Sequence, residues 1–150
     1  MNGCEIWRPA SSWRIFLVLV AIGEFALGVF TLVLGIRQGD VLAGMLVALL
    51  LGAPGLWFIA YSRAYVMLCD EGVRARNILS TTDTPWDQID TAGAGYWGIA
   101  ILRVDGPALV AMAVQKSNFS TWIGRETRAD RLAAAITARG TGHHGTPPAV

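Results

Sequence analysis

The chain has 150 residues, of which 53% are hydrophobic and 15% charged, with a formal net charge of +1. That length is a prior for one domain, or for a small domain with an appendage. Near-neutrality without a clustered basic face excludes the electrostatic footprint of a nucleic-acid binder, and an apolar excess crowded into the first part of the chain points to a membrane segment followed by a globular one.

In chain order, residues 1–14 read as a short N-terminus on the cytoplasmic side. Cys4 and Cys69 stand far apart, with no CxxC spacing and no histidine nearby at ligand spacing, so two unrelated reduced thiols are expected. Residues Ile15 to Ile36 then form an apolar run of 22 positions. At 1.5 Å per residue it reaches about 33 Å, enough for a hydrocarbon core of about 30 Å. It is too long for a signal-peptide core and is followed at once by a second run, Val41 to Tyr61. Only Arg37-Gln38-Gly39-Asp40 lies between them, which forces an antiparallel hairpin over residues 15–61.

Orientation follows from the arginines near the spans. Arg8, Arg14, Arg63, Arg74 and Arg76 lie outside the hairpin ends, whereas the turn offers only Arg37, offset by Asp40. Both termini are therefore expected in the cytoplasm, at an inner plasma membrane. Trp7, Trp13, Trp57, Tyr61 and Tyr65 would form one aromatic belt on the same side.

One carboxylate interrupts the first span. Glu24 lies on a stripe with Gly28, Thr31 and Gly35, and the second span carries Gly44, Ala48 and Gly52 at matching spacing. Such small-residue faces let helix backbones approach closely in lipid, and the simplest account has the two stripes meeting inside the hairpin. The apolar run of the second span holds no Lys, Arg or His. Glu24 is then a protonated acid bonded within the hairpin, a contact to another chain, or a proton-handling group. A single acid with no second ionisable group makes no relay, so transport is not expected. Pro54 is expected to kink the second helix, because it has no N–H for the carbonyl four residues earlier.

From Ala64 the pattern changes to short β-like runs. AYVMLC reads as a strand, Asp70-Glu71-Gly72 as a tight turn, and VRARNILS as a second strand. Residues 81–85, TTDTP, read as another turn, followed by WDQID. YWGIAILRVDG and ALVAMAVQ read as a hairpin closed around Asp105-Gly106-Pro107. A helical period follows, with Ala129, Leu132, Ala133 and Ile136 on one face, a Thr127…Asp130 capping box, and Gly140 as the stop. Residues 140–150, including His143 and His144, are expected to be a solvated, disordered tail. Trp86, Trp97 and Trp122 are expected to fill the core.

The succession VMLCDEGVRARNILSTTDTPWDQIDTA resembles small bacterial pleckstrin-homology-like (PH-like) domains, of the type called low-molecular-weight protein antigen 6. The matching positions are Glu71-Gly72, Arg74-x-Arg76-Asn77 and Pro85-Trp86. The resemblance implies, for residues 64–139, an α+β domain: an antiparallel β-sandwich or barrel with one C-terminal helix, commonly preceded by two transmembrane helices. Eukaryotic members of that fold bind phosphoinositides through basic residues around the loop joining the first two strands. Here that loop is read as Cys69-Asp70-Glu71-Gly72, which is acidic and would repel phosphate. Arg74 and Arg76 share one strand face, but acidic and basic residues balance across residues 64–150.

Catalytic chemistry is not indicated. No GxGxxG, P-loop, GxSxG or HExxH occurs, both histidines lie near the C-terminus, and Asp83, Asp87 and Asp90 read as turn and surface charges. No cofactor and no metal is implied. The expectation is a non-catalytic, membrane-anchored interaction protein with an integral membrane protein or complex as partner. Its contact residues would be Glu24, Gly28, Thr31, Gly35, Gly44, Ala48 and Gly52. Its layout is similar to the small hairpin subunits that decorate the actinobacterial cytochrome bcc–aa3 respiratory assembly. The alternative is a stand-alone scaffold or sensor that binds lipid or a peptide.

Overall fold

At Gly39 the backbone turns left-handed, with φ of 78°, and the first long helix stops there. The N–H of Gly39 reaches the Ile36 carbonyl at 3.3 Å and that of Asp40 reaches the Gly35 carbonyl at 2.9 Å, a Schellman ending. Asp40 then caps the second helix, its Oδ1 accepting from the Ala43 N–H at 3.3 Å. The two helices, α1 (Ser11–Gln38) and α2 (Val41–Ser62), are thus joined by two residues. The expected four-residue turn is shorter because Arg37 and Gln38 remain helical. Both helices are long and apolar enough to cross a membrane.

The computed structural model of the chain describes residues 3–116, 122 and 125–144. These divide into two units, the hairpin over residues 9–63 and a second unit from residues 1–8 and 64–150. Small residues set the approach of α1 and α2. A Cβ on Gly35 would lie 2.8 Å from the Gly44 Cα, and one on Gly44 would lie 3.1 Å from the Gly35 Cα. Further along, a Cβ on Gly28 would meet the Ala48 carbonyl oxygen at 3.3 Å. At the open end Arg14 Nε donates to the Ser62 carbonyl at 3.0 Å, satisfying a group the helix terminus leaves orphaned. Pro54 lies inside α2, which continues through it to Ser62.

The second unit holds two antiparallel sheets and a helix. Strands β1 (Glu5–Trp7), β2 (Tyr65–Leu68), β3 (Gly72–Arg76) and β4 (Thr81–Pro85) form one sheet in that order. A 3₁₀ turn, Trp86–Gln88, leads to the second sheet, β5 (Ile89–Gly95), β6 (Gly98–Arg103) and β7 (Leu109–Ala111), again in chain order. Helix α3 (Arg128–His144) follows. The second unit has an α+β layout, with the helical hairpin inserted between its first and second strands.

Alternation decides which side chains are buried. Val66 and Leu68 on β2, Val73 and Ala75 on β3, and Ile99 and Ile101 on β6 point inward, and α3 supplies Ala129, Leu132, Ala133 and Ile136. The face expected of the last helix is therefore the buried one. Its start is also as expected: the Thr127 N–H donates to Asp130 Oδ2 at 2.8 Å, and the Asp130 N–H donates to Thr127 Oγ1 at 3.2 Å.

Several expectations are corrected. Residues 5–7, read as part of a short N-terminus apart from the domain of residues 64–139, are an edge strand of that unit's first sheet, with Ile6 opposite Met67 and Trp7 opposite Val66. TTDTP is a strand rather than a turn, because all five of its residues pair with β3 and Thr84 is buried. The turn lies instead at Asn77–Ser80, where the Asn77 N–H donates to the Ser80 carbonyl at 2.8 Å. Residues 89–95 are a full strand, so Tyr96-Trp97 becomes the β5–β6 turn and only Leu109–Ala111 of ALVAMAVQ is β. Trp86 fills the core as expected, but Trp97 and Trp122 are 68% and 89% exposed. Helix α3 runs through Gly140 to His144 instead of stopping: a Cβ at Gly140 would sit 2.8 Å from the Ile89 carbonyl, so this glycine serves close packing on β5. The rest of the expected tail, residues 145–150, lies outside the described residues.

Candidate functional site

The stripe expected on α1 and α2 is brought together within one chain. Gly28 meets Ala48 and Gly35 meets Gly44, so these four positions are occupied by the packing of the hairpin itself. Thr31 turns inward on its own helix, its Oγ1 donating to the Gly28 carbonyl at 2.9 Å. Gly52 faces the Phe25 ring, with a missing Cβ 3.6 Å from its edge.

Glu24 stands apart from that packing. Its Oε2 is shut off from the surface and has no hydrogen-bond partner among the described residues. A Cβ on Gly55 would lie 3.3 Å from this oxygen and 3.2 Å from the Phe25 ring. Gly55 was missed in the sequence, although the signal was there: it continues Gly44, Ala48 and Gly52 by three further positions on the same face. Helix α2, which Glu24 faces, carries no Lys, Arg or His, and Arg14 of α1 donates from its Nε to the Ser62 carbonyl. An apolar groove of about 440 Å³ between α1 and α2 is lined by Phe25, Val29, Leu32, Met45, Leu49 and Leu56 among others.

In the second unit a concavity of about 430 Å³ lies on the outer face of the first sheet, walled by Cys4, Met67, Cys69, Arg74, Asp83 and Pro85 among others. Arg74 and Asp83 face each other across the β3–β4 register and form a two-pronged pair, with Nε–Oδ1 at 2.5 Å and Nη2–Oδ2 at 3.1 Å. Hydrogen bonding to the guanidinium holds the Asp83 carboxyl below its ordinary value, and the reciprocal bond raises Arg74. Arg74 is therefore already engaged, and Asp83 is an ion-pair partner.

The reading of Cys4 and Cys69 as separate reduced thiols is overturned. The β1–β2 ladder ends with Glu5 opposite Leu68, and one residue on it sets Cys4 opposite Cys69 with Cα atoms 4.3 Å apart, joined as a disulfide. The acidic loop Asp70-Glu71 also changes place: it joins β2 to β3, because the first strand precedes the hairpin.

Side-chain bridges shield exposed strand edges. The Asn77 Nδ2 donates to the Val110 carbonyl at 2.7 Å while its Oδ1 accepts from the Met112 N–H at 2.9 Å, standing in for a strand beside β7. On the far edge of that sheet the Thr137 hydroxyl of α3 accepts from the Ala92 N–H at 2.9 Å. Helix α3 also holds β1, through Arg139–Glu5 at 3.3 Å and Arg128 over the Trp7 ring at 5.7 Å. Among the described residues no group of three or more His, Cys, Asp or Glu is placed to hold a metal ion. No family model matches the chain, and no curated protein or solved structure matches it significantly.

Proposed function

We propose that this chain is a non-catalytic, membrane-anchored interaction protein, an accessory subunit that docks on a larger integral membrane complex. The single observation that carries the reading is Glu24, an acid in an apolar helix with one sealed oxygen that has no hydrogen-bond partner among the described residues and that faces a helix, α2, without Lys, Arg or His. An unpaired charge at a span centre costs about 2.5–3.5 kcal/mol on an insertion scale. Glu24 is only half-buried, so a donor from a neighbouring chain that reaches its other carboxyl oxygen reduces that cost, which makes the acid a contact for another membrane protein. Because Gly28, Gly35, Gly44 and Ala48 are used inside the hairpin, the docking face is the neighbourhood of Glu24 and the groove by Phe25, rather than the whole small-residue stripe. A respiratory assembly of the cytochrome bcc–aa3 kind is the partner class that the layout suggests.

The second unit is read as a PH-like domain. In support, the unit has two antiparallel sheets and a C-terminal helix, the α+β layout that the resemblance implies, with its first strand placed before the hairpin. The arginines at Arg8, Arg14 and Arg63, against Arg37 alone in the turn, support a cytoplasmic location for it. A stand-alone scaffold or sensor is the second reading, favoured by one observation: Tyr96 and Trp97 project from the β5–β6 turn as an exposed edge-to-face pair, 5.0 Å between centroids.

The test is to tag the C-terminus, extract membranes in mild detergent, and identify what co-purifies in stoichiometric amount. A defined complex that is lost on Glu24→Gln supports the docking reading. A lone monomer or homo-oligomer, unchanged by that substitution, overturns it and moves attention to ligands of the Tyr96–Trp97 surface.

A further inference from the structure

We propose that Cys4–Cys69 is a thiol–disulfide exchange site, open to a low-molecular-weight thiol, whose reduction releases the N-terminal strand from its sheet. Three observations converge on it. First, the pair lies on the outer face of the sheet: Cys4 and Cys69 continue the row of Ile6 and Met67, while Val66 and Leu68 point into the core. Second, it is reachable. Cys4 is exposed and Cys69 half-buried, and both form the wall of the concavity of about 430 Å³, giving an incoming thiolate a path to the sulfur of Cys4. Exposed disulfides are the labile, exchangeable ones.

Third, the two cysteines are held very differently once the bond is opened. Cys69 stays in place: its N–H donates to the Gly72 carbonyl at 2.9 Å and its carbonyl accepts from the buried Trp86 Nε1 at 2.9 Å. Cys4 immediately precedes a strand of three residues, retained otherwise by its ladder to β2, the exposed Glu5–Arg139 pair and the half-buried Trp7. Loss of the covalent tie therefore acts on β1 and leaves β2 and β3 standing.

The exchange balances with the thiol as reductant. A thiolate RS⁻ attacks Cys4 Sγ, the S–S bond breaks, and Cys69 leaves as a thiolate that takes up a proton. A second RS⁻ attacks the R sulfur of the mixed disulfide, releasing RSSR and the Cys4 thiolate. Two electrons pass from two thiols to the protein, and oxidation by RSSR runs the same steps backwards.

The experiment uses the full chain in mild detergent, with glutathione as the probe. After incubation the protein is quenched in acid, denatured, and its thiols are tagged with a maleimide for intact-mass analysis. Without glutathione neither cysteine takes a tag. With it, both take a tag because the bond was opened while the protein was folded, a glutathione adduct on Cys4 is trapped at early times, and amide-exchange protection is lost at Ile6 and Trp7 but retained at Val66 and Val73. The Cys69→Ser chain, with Cys4 alone, takes up glutathione from its disulfide form at Cys4. Tags on the untreated protein after isolation in air overturn the proposal, as does a bond that resists glutathione until the chain is denatured. These readouts are independent of any partner of Glu24.

Discussion

Gly44 has no room for a side chain, since a Cβ there already lies 3.1 Å from the Gly35 Cα and 3.2 Å from the Thr31 carbonyl. Gly44→Val must therefore push α1 and α2 apart, at about 1–3 kcal/mol for an overpacked contact. The expected outcome is a lower thermal midpoint in detergent, whereas Gly23→Ala, at a position with open space around it, leaves the midpoint unchanged. At the same scale in the second unit, Ile136 is fully buried against the sheets. Ile136→Ala should cost about 2–5 kcal/mol, read by denaturant unfolding. Both sites were legible in the sequence, Gly44 from its spacing to Ala48 and Gly52 and Ile136 from its helical face. Gly140 was not: a glycine near a chain end signals a stop, and only the Ile89 carbonyl beside it shows that it serves contact.

Helix α3 carries the second unit's element-scale predictions. Asp130 accepts from Lys116 Nζ at 2.8 Å and from the Thr127 N–H and hydroxyl, and these bonds, the Lys116 one foremost, pull its carboxyl down to about 2. A carboxyl lowered in the folded state stabilises it above the unfolded value near 4, and that contribution is lost as pH falls from about 4 through about 2. Asp130→Asn should flatten the acid limb of the unfolding curve over that window, measured by circular dichroism against pH. Thr137 bridges helix and sheet edge, so Thr137→Val strands the Ala92 N–H at about 1–3 kcal/mol. The helix was readable from its period and its capping box. Strands β1, β4 and β5 were not, because Glu5–Trp7 is too short to show alternation, TTDTP carries the residues of a turn, and IDTAGAG lacks the large apolar side chains that signal a strand. Their strand state comes from pairing with neighbours, which overrides local propensity.

The order β1, hairpin, β2 has a consequence for the whole molecule. The second unit is discontinuous, and a fragment beginning at Ala64 lacks the strand that covers β2. Residues 64–144 produced alone should expose the β2 edge and aggregate, and a peptide of residues 3–8 added in trans should restore solubility, as light scattering would show. In the oxidised full chain, the Cys4–Cys69 bond closes a loop with a sequence separation of 65. By the chain-entropy relation a loop of that size is worth up to about 4 kcal/mol, so the tie matters to the fold as well as to exchange. What the sequence by itself determined is whatever depends on neighbours along the chain: the two apolar helices, the Gly39-Asp40 reversal, the buried face and cap of α3, and the presence of a lone acid in a span. What only the tertiary structure decided depends on residues far apart in the chain: the first strand of the sheet, the Asn77 bridge to β7, Gly55 beside Glu24, and the meeting of two cysteines. Periodicity reports one element's face, and no period along the chain records which other element will cover it.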